Sequence, residues 1–188
     1  INLRPLSMFA ASAYRDDPCT RFKPHILDQN IYDVVDPGLV AKMHKAITVI
    51  QFKVEGQIIK RHPEYGLNHR CLLEHVDFDK GTVEVDGKTY PMLDMKFPTI
   101  DPKDPLKLTE QEAELLQTLK MSFRHSGLLH KHIKFLYSHG SMYKCCNNNL
   151  LYHGCIPLKK DGSFDDIVFY GIPYSGKALM DFVDQMVQ

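Results

Sequence analysis

The sequence predicts an α/β or α+β fold, built from long helices, a small antiparallel meander and a further hairpin. Three observations predict it. Apolar residues recur at helical spacing over 37–61, apolar and polar residues alternate over 75–93, and a strand–turn–strand pattern occupies 142–157. The 188 residues, 44% of them hydrophobic, suit one domain or one lobe of a larger protein.

The first long helix is predicted over 37–61. Asp36 is a typical N-cap residue, and Pro37 follows at the first helical position. The helix is expected to end at His62-Pro63, after about seven turns. Its apolar stripe, which we expect to be buried, is Leu39, Met43, Ile47, Ile50, Val54 and Ile58.

The residues after this helix predict a meander near 75–93, in which Asp86-Gly87 is a strong two-residue hairpin signal. The stretch 97–105 holds three prolines and is predicted to be a linker. Thr109 and Glu112 then form a capping box. The apolar stripe that follows predicts two consecutive helices or one kinked helix up to Gly140.

Composition narrows the class of protein. Lys+Arg and Asp+Glu both total 23, so the zero formal charge indicates no general attraction to nucleic acid or to an anionic membrane. No apolar run approaches the ~18 residues of a membrane span. The five cysteines form an odd set without regular spacing, which favours reduced thiols in a cytoplasmic protein over a disulfide framework.

Both ends of the chain have the character of cut ends. It opens at Ile1 rather than at methionine, and it closes inside a predicted helix that runs from Gly176 through Val187. We expect the chain to be a segment of a longer protein.

The residues with the clearest chemical pattern follow a predicted hairpin. Met142–Cys146 and Leu150–Tyr152 are predicted strands joined by a tight turn of three asparagines, and His153-Gly154 comes directly after them. A strand is rigid and aims the imidazole, while glycine leaves room for a metal, a phosphate or a backbone to approach.

This element, from Leu150 to Pro157, resembles the strand–His–Gly–x–x–Pro motif of the calcineurin-like metallophosphatase superfamily. The flanking sequence, taken in order along the chain, resembles class III (bacterial-type) fructose-1,6-bisphosphatase. The segments that carry this resemblance are Ile1–Leu6, Phe9-Ala10, Tyr14, Asp16–Cys19, Phe135–Tyr137, Gly140–Lys144, His153–Pro157, Asp161–Phe164 and Gly176–Leu179.

The resemblance implies a fold and a division of the chain. It implies part of a calcineurin-like sandwich that carries a mostly helical insertion. Residues 1–36 would follow the family's first metal-binding motifs, 37–139 would be the insertion with its meander, and 140–188 would belong to the phosphatase core.

The resemblance also implies an activity, namely metal-dependent hydrolysis of fructose 1,6-bisphosphate in cytoplasmic gluconeogenesis. His153 would be one ligand of a two-metal centre, with Mn²⁺ expected, although imidazole equally accepts Fe²⁺ or Zn²⁺. The family's D-x-H, G-D-x-x-D-x-G, G-N-H and G-H motifs are absent from this chain. We therefore expect no catalytic residue here, a centre completed by the rest of the parent polypeptide, and no activity of the chain alone.

Other interpretations stay open at this point. His153 could be a hydrogen-bonded histidine in a turn, and with Cys145, Cys146 and Cys155 it could form a zinc site. The cysteine spacing is not that of structural zinc sites, so buried thiols are the simpler expectation.

Two further groups of polar residues are better explained as surface. His125, His130 and His132 resemble a solvated helix face, and Lys159-Lys160 could attract a phosphate but suits an exposed turn. The alternative function is a non-catalytic interaction or regulatory lobe of a larger protein, for which the long helix would supply a contact surface. A homo-oligomer is compatible with either function.

Overall fold

The structure, a computed structural model, describes residues 2–25, 36–152 and 154–187. The chain forms two compact units, which we call unit 1 (Ile1–His125) and unit 2 (Ser126–Gln188). Unit 1 contains α1 (Arg4–Ala13), α2 (Pro37–Arg61), β1 (Val76–Asp77), β2 (Thr82–Val85), β3 (Lys88–Pro91) and α3 (Glu110–Arg124). Unit 2 contains α4 (Gly127–His139), β4 (Tyr143–Cys146), β5 (Asn149–Tyr152), β6 (Ile167–Phe169), β7 (Ile172–Tyr174) and α5 (Gly176–Val187).

Helix α2 has the predicted bounds. The Asp36 Oδ1 atom accepts a hydrogen bond from the Gly38 N–H at 2.8 Å, so the predicted residue caps the first turn. The helix ends at Arg61, and the His62 N–H donates to the carbonyl of Ile58 at 3.1 Å. The prediction from the Asp-Pro start and the His-Pro stop is confirmed.

The core of unit 1 lies where α1 packs against α2 and α3. The opening residues therefore form a helix, which the sequence had identified only as an apolar-periodic stretch. Tyr14 follows this helix and is fully enclosed, and burial raises the pKa of its phenol to about 12. The core residues are Leu6, Ala10, Tyr14, Cys19, Ala41, Ala46, Ile50, Leu115 and Leu119.

The buried face of α2 differs from the predicted apolar stripe. Lys45 and Lys53 are both 0% exposed, whereas Ile58, a stripe residue, is 41% exposed. Lys45 Nζ lies 2.6 Å from Asp17 Oδ2 and 2.7 Å from Asp94 Oδ2. A buried ammonium is tolerable when carboxylates pair with it. The buried face of α2 therefore includes Lys45 and Lys53, and the stripe residue Ile58 lies at the surface.

The second buried lysine joins α2 to the start of α3. Lys53 Nζ donates to Glu112 Oε2 at 2.7 Å and to the Thr99 carbonyl at 2.5 Å. The same Glu112 oxygen accepts from the Thr109 N–H at 2.8 Å, and Thr109 Oγ1 accepts from the Glu112 N–H at 3.2 Å. This reciprocal pair is the predicted capping box, and one of its members is a core residue.

The meander is also confirmed. Its three strands pair antiparallel in the order β1-β2-β3, with Val83 opposite Tyr90. Asp86 and Gly87 form the connecting turn, with φ of 50° and 72°. Residues 97–105 contain no helix or strand apart from an isolated bridge, as a linker requires.

Residues 110–139 form two separate helices, α3 and α4, which settles the alternatives for this stretch. Among its described residues, unit 2 contains two separate antiparallel hairpins and two helices. Helix α5 packs on the β6–β7 hairpin, which the sequence did not reveal. The Phe182 ring stacks on Tyr174 at 4.2 Å and lies 5.1 Å from Phe169, measured between ring centroids. Among the described residues of this unit, Gly176 alone is buried.

The predicted fold class is therefore confirmed as a mixture of helices and small antiparallel sheets. The calcineurin-like sandwich and the division into 1–36, 37–139 and 140–188 concern the parent enzyme and stay predictions. No described helix is long and apolar enough to cross a bilayer.

Candidate functional site

The candidate site is the β4–β5 hairpin, which leads into His153. Its register pairs Cys146 with Asn149 next to the turn and Tyr143 with Tyr152 at the open end. Strand β5 thus begins at Asn149, one residue earlier than predicted. Tyr152 is its last residue, so the chain enters His153 directly from the hairpin's final cross-strand pair.

A two-residue turn sets this register. Asn147 and Asn148 have φ of 50° and 59°, the left-handed values that both central residues of a type I′ turn require. Asparagine is the non-glycine residue that adopts them most readily. A one-residue slip would move every side chain of the hairpin to the opposite face, so this turn also determines which face each residue occupies.

His153 itself lies outside the described residues, so its predicted role as a metal ligand stays a prediction. The residue after it, Gly154, has a φ of 98°, and apart from its chain neighbours no described residue has an atom within 4 Å of the position that a Cβ would take. The close approach of a metal or phosphate that the sequence pattern suggested stays a prediction. Cys155, which follows, is exposed.

Helix α5 holds the open end of the hairpin through two carboxylates. Tyr143 Oη donates to Asp181 Oδ1 at 2.9 Å, and the Met142 N–H donates to Asp184 Oδ1 at 3.1 Å. Lys177 Nζ donates to Asp181 Oδ2 at 2.5 Å and lies 5.6 Å from the centre of the Tyr143 ring. The hydrogen bond from Lys177, followed by that from Tyr143, holds the pKa of Asp181 below its ordinary value.

Sequence reasoning missed these supporting contacts. Lys177 and Asp181 are four residues apart on a helix, a spacing at which an ion pair is readable from sequence. The partners in the hairpin are about forty residues away along the chain, and no pattern in the sequence indicates them.

The three cysteines of the zinc site that was considered are not grouped as metal ligands, and its fourth residue, His153, lies outside the described residues. Among the described residues, no group of three or more His, Cys, Asp or Glu side chains is arranged to hold a metal ion. All five cysteines are free thiols, and Cys145, Cys146 and Cys155 are exposed. The expectation that these three are buried is wrong, because the hairpin on which two of them lie has no described layer over either face.

The other polar groups lie at the surface. His125, His130 and His132 are exposed, as expected for solvated helix faces. Lys159 and Lys160 lie in an exposed turn, where Lys159 Nζ is 3.8 Å from Asp166 Oδ2.

A shallow cavity of about 470 Å³ lies beside the meander, away from the hairpin in sequence and in a different unit. Its lining contains three carboxylates and one imidazole. Such a lining repels a phosphate ester rather than attracting it. The cavity is therefore a poor candidate for binding a sugar phosphate.

Comparison with known proteins identifies relatives along the whole chain. The model of the Firmicute fructose-1,6-bisphosphatase family matches residues 1–188. Curated relatives named class 3 fructose-1,6-bisphosphatase include proteins of Clostridium novyi (48% identical over 188 residues), Alkaliphilus metalliredigens (50% over 190) and Clostridium tetani (52% over 185). These alignments cover 100%, 100% and 98% of this chain.

The chain spans only 28%, 29% and 28% of the length of those three relatives. No solved structure matches it significantly. Because the family model covers every residue, the resemblance of the ordered motifs is confirmed, and the chain belongs to the Firmicute fructose-1,6-bisphosphatase family.

Proposed function

We propose that the polypeptide of which this chain is a part hydrolyses fructose 1,6-bisphosphate to fructose 6-phosphate and phosphate, in gluconeogenesis in the cytoplasm. The observation that carries the proposal is the family match over residues 1–188, together with relatives about half identical that bear this enzyme's name. In the reaction a water oxygen bonds to phosphorus as the bond from phosphorus to the sugar oxygen breaks. The sugar oxygen takes up a proton.

The proposed role of this chain is to present His153 to a centre of two divalent ions, with Mn²⁺ as the expected metal. Such ions, when bound, neutralise the phosphate charge and lower the pKa of a bound water. The described residues hold no group that could bind a metal by itself, so the remaining ligands would come from the rest of the parent polypeptide. His153 would offer one neutral ring nitrogen, and a hydrogen-bond acceptor at the other would fix the tautomer.

We place the β4–β5 hairpin in the central sheet of a calcineurin-like sandwich. Supporting this placement, every residue of β5 is exposed, including the apolar Leu150 and Leu151 at 47% and 55%. Soluble proteins seldom leave adjacent large apolar residues of a strand uncovered. Because Leu150 and Leu151 face opposite sides of the hairpin, layers of the parent polypeptide on both sides would cover them.

The substrate is tested by measuring phosphate release from a panel of sugar phosphates by the intact parent protein, with and without Mn²⁺. We expect fructose 1,6-bisphosphate to be preferred and turnover to require the metal. Turnover that is unchanged after chelation, or a different preferred sugar, would contradict the proposal. The isolated 188-residue chain should show no turnover, because one ligand cannot hold two ions.

The metal role of His153 is tested in the parent protein with His153→Ala. We expect bound metal and kcat to fall together, and metal affinity to fall by more than the about 10- to 100-fold that loss of an outer-shell partner costs. His130→Ala is the matched control, since His130 is an exposed histidine on α4. Normal metal content and activity in His153→Ala would remove this residue from the centre.

A further inference from the structure

The open end of the β4–β5 hairpin carries Tyr152, the residue that precedes His153 in the sequence. At this end Tyr143 is directly opposite Tyr152, the residue before His153. Residues opposite each other in an antiparallel pair lie on one face, with Cβ atoms about 4.5–5.5 Å apart. Any contact that fixes Tyr143 therefore constrains the backbone from which His153 extends.

The hairpin has little else to hold it. Seven of its eight strand residues are exposed, and the exception is Tyr143. A two-stranded hairpin without packing is at best marginally stable in water. The contacts between its first strand and α5 are therefore the main tertiary restraint that the described residues of unit 2 provide for it.

Asp181 and Asp184 supply this restraint from one side of α5. They are three residues apart, so they lie on adjacent turns of one helix face. Asp181 Oδ1 accepts from Tyr143 Oη and Asp184 Oδ1 accepts from the Met142 N–H. One contact fixes a side chain and the other fixes the backbone just before the strand, so together they restrict rotation of the hairpin as well as its distance from α5.

The helix that carries these carboxylates is itself anchored. Phe182, next to Asp181, packs on both aromatic rings of the β6–β7 hairpin. At the helix start, Gly176 has a φ of 51°, and a Cβ there would lie 3.1 Å from the Phe164 ring. Because of these two contacts, α5 is a fixed support against which the β4–β5 hairpin is held.

We propose that Asp181 and Asp184 are positioning residues of the phosphatase, which hold the open end of the β4–β5 hairpin through Tyr143 and Met142 and so aim His153. This inference rests on the proposed function, since it assigns a purpose to the orientation of His153. Lys177 supports the arrangement by occupying the second oxygen of Asp181. None of these residues is proposed to contact the reacting atoms.

The test uses the full-length parent enzyme with Tyr143→Phe, Asp181→Ala and their double variant. Tyr143→Phe removes one oxygen and leaves the ring, so it keeps the fold even if Asp181→Ala does not. We expect kcat to fall by about 10- to 100-fold for Asp181→Ala, because a displacement of about 1 Å can cost a hundredfold. KM should change little, and affinity for Mn²⁺, measured by calorimetry, should weaken by about 10-fold or more.

Two comparisons separate positioning from a general effect on stability. The double variant should lose no more kcat than Asp181→Ala alone, because Asp181→Ala already removes the contact that Tyr143→Phe breaks. In a His153→Ala background, Asp181→Ala should produce no further loss of Mn²⁺ affinity. The control is Asp166→Ala, at an exposed aspartate of the same unit that lies 3.8 Å from Lys159 Nζ; it should leave kcat and Mn²⁺ affinity unchanged.

The outcomes are distinguishable. If His153→Ala is inactive while Tyr143→Phe and Asp181→Ala behave like Asp166→Ala, the inference is overturned and the proposed function stands. A further loss of Mn²⁺ affinity in the His153→Ala background would also overturn it, because the carboxylate would then act independently of His153. Full activity of His153→Ala would overturn the inference together with the proposed metal role of His153, whereas a parent protein that does not hydrolyse fructose 1,6-bisphosphate would overturn the proposed function itself.

Discussion

Unit 1 and unit 2 differ in whether they bury apolar side chains, although both expose some large ones. Every buried apolar side chain among the described residues lies in unit 1, whereas unit 2 exposes large ones on both its hairpins and on α4. Those exposed in unit 2 are Leu128, Phe135, Leu136, Tyr137, Leu150, Leu151, Tyr152, Leu158, Phe164, Ile167, Val168, Tyr170, Ile172, Met186 and Val187.

The difference shows that apolar content alone does not make a core. In unit 1 residues of α1, α2 and α3 pack into one buried cluster. In unit 2 helix α5 contacts both two-stranded hairpins, and such pieces cannot enclose a core by themselves. We infer that unit 1 is stabilised by its own contacts, while unit 2 depends on contacts with the rest of the parent polypeptide.

Lys53→Met is expected to have the largest effect on this comparison. It leaves the fully buried Glu112 carboxylate without its cation, which costs about 3–5 kcal/mol of unfolding free energy. Urea unfolding followed by circular dichroism measures this loss. The matched change in unit 2, Lys177→Met, removes a pair whose lysine is 73% exposed, and no measurable loss is expected.

A second variant tests the reason for the first effect. In Lys53→Met/Glu112→Gln the side chain at 112 is uncharged and can still complete the capping box. Most of the lost stability should return. A double variant as unstable as Lys53→Met would show that the lysine acts through packing rather than through charge.

Leu151→Ser is expected to have the next largest effect, and the loss of stability should differ between the isolated chain and the parent protein. In the isolated chain Leu151 is 55% exposed, so the change should alter stability by no more than about 0.5 kcal/mol. In the parent, where we expect a covering layer, the loss should be about 1.5–3 kcal/mol. Lys160→Ser, in an exposed turn, is the control for both. Equal small effects in chain and parent would mean that β5 stays uncovered.

The smallest predicted effect concerns pH. Burial alone would raise the pKa of Asp17, but hydrogen bonds from Lys45 and from the Cys19 backbone outweigh it, and the pKa lies below its ordinary 3.8. The stability that Asp17 contributes is thus fully present above that ordinary value and is lost as pH falls through the lowered one. At pH 7 we expect Asp17→Asn to cost about 1.5 kcal/mol.

The measurement is urea unfolding of wild type and Asp17→Asn at several pH values. The difference in unfolding free energy between them should be constant from pH 7 to about pH 5 and should shrink below about pH 4. A difference that persists undiminished at pH 2.5, or that grows on acidification, would contradict the assigned ion pair.

The features predicted from sequence are those that adjacent residues determine. The Asp36 cap, the Thr109–Glu112 box and the Asp86-Gly87 turn each involve residues within three positions of one another, and all three were found. Backbone geometry fixes such features almost independently of the rest of the chain.

The features that were missed depend on residues far apart. Lys45 reaches Asp94 across 49 positions, and Tyr143 reaches Asp181 across 38. The sequence does not show that a lysine of an apolar helix is buried unless its partner is known. The predicted buried stripe therefore contained apolar residues and left out the lysines. For the candidate site, the sequence predicted the hairpin and its glycine but neither α5's carboxylates nor the exposure of the cysteines.

One carboxylate in unit 1 links the fraying of a helix end to the breaking of a buried ion pair. Glu112 Oε2 closes the first turn of α3 and also accepts from the lysine at the centre of α2. Helix ends commonly unravel on their own, but this one cannot loosen without exposing a buried charge. The start of α3 should therefore be as slow to exchange its amide hydrogens as the middle of α2, and a protease should find no early entry there.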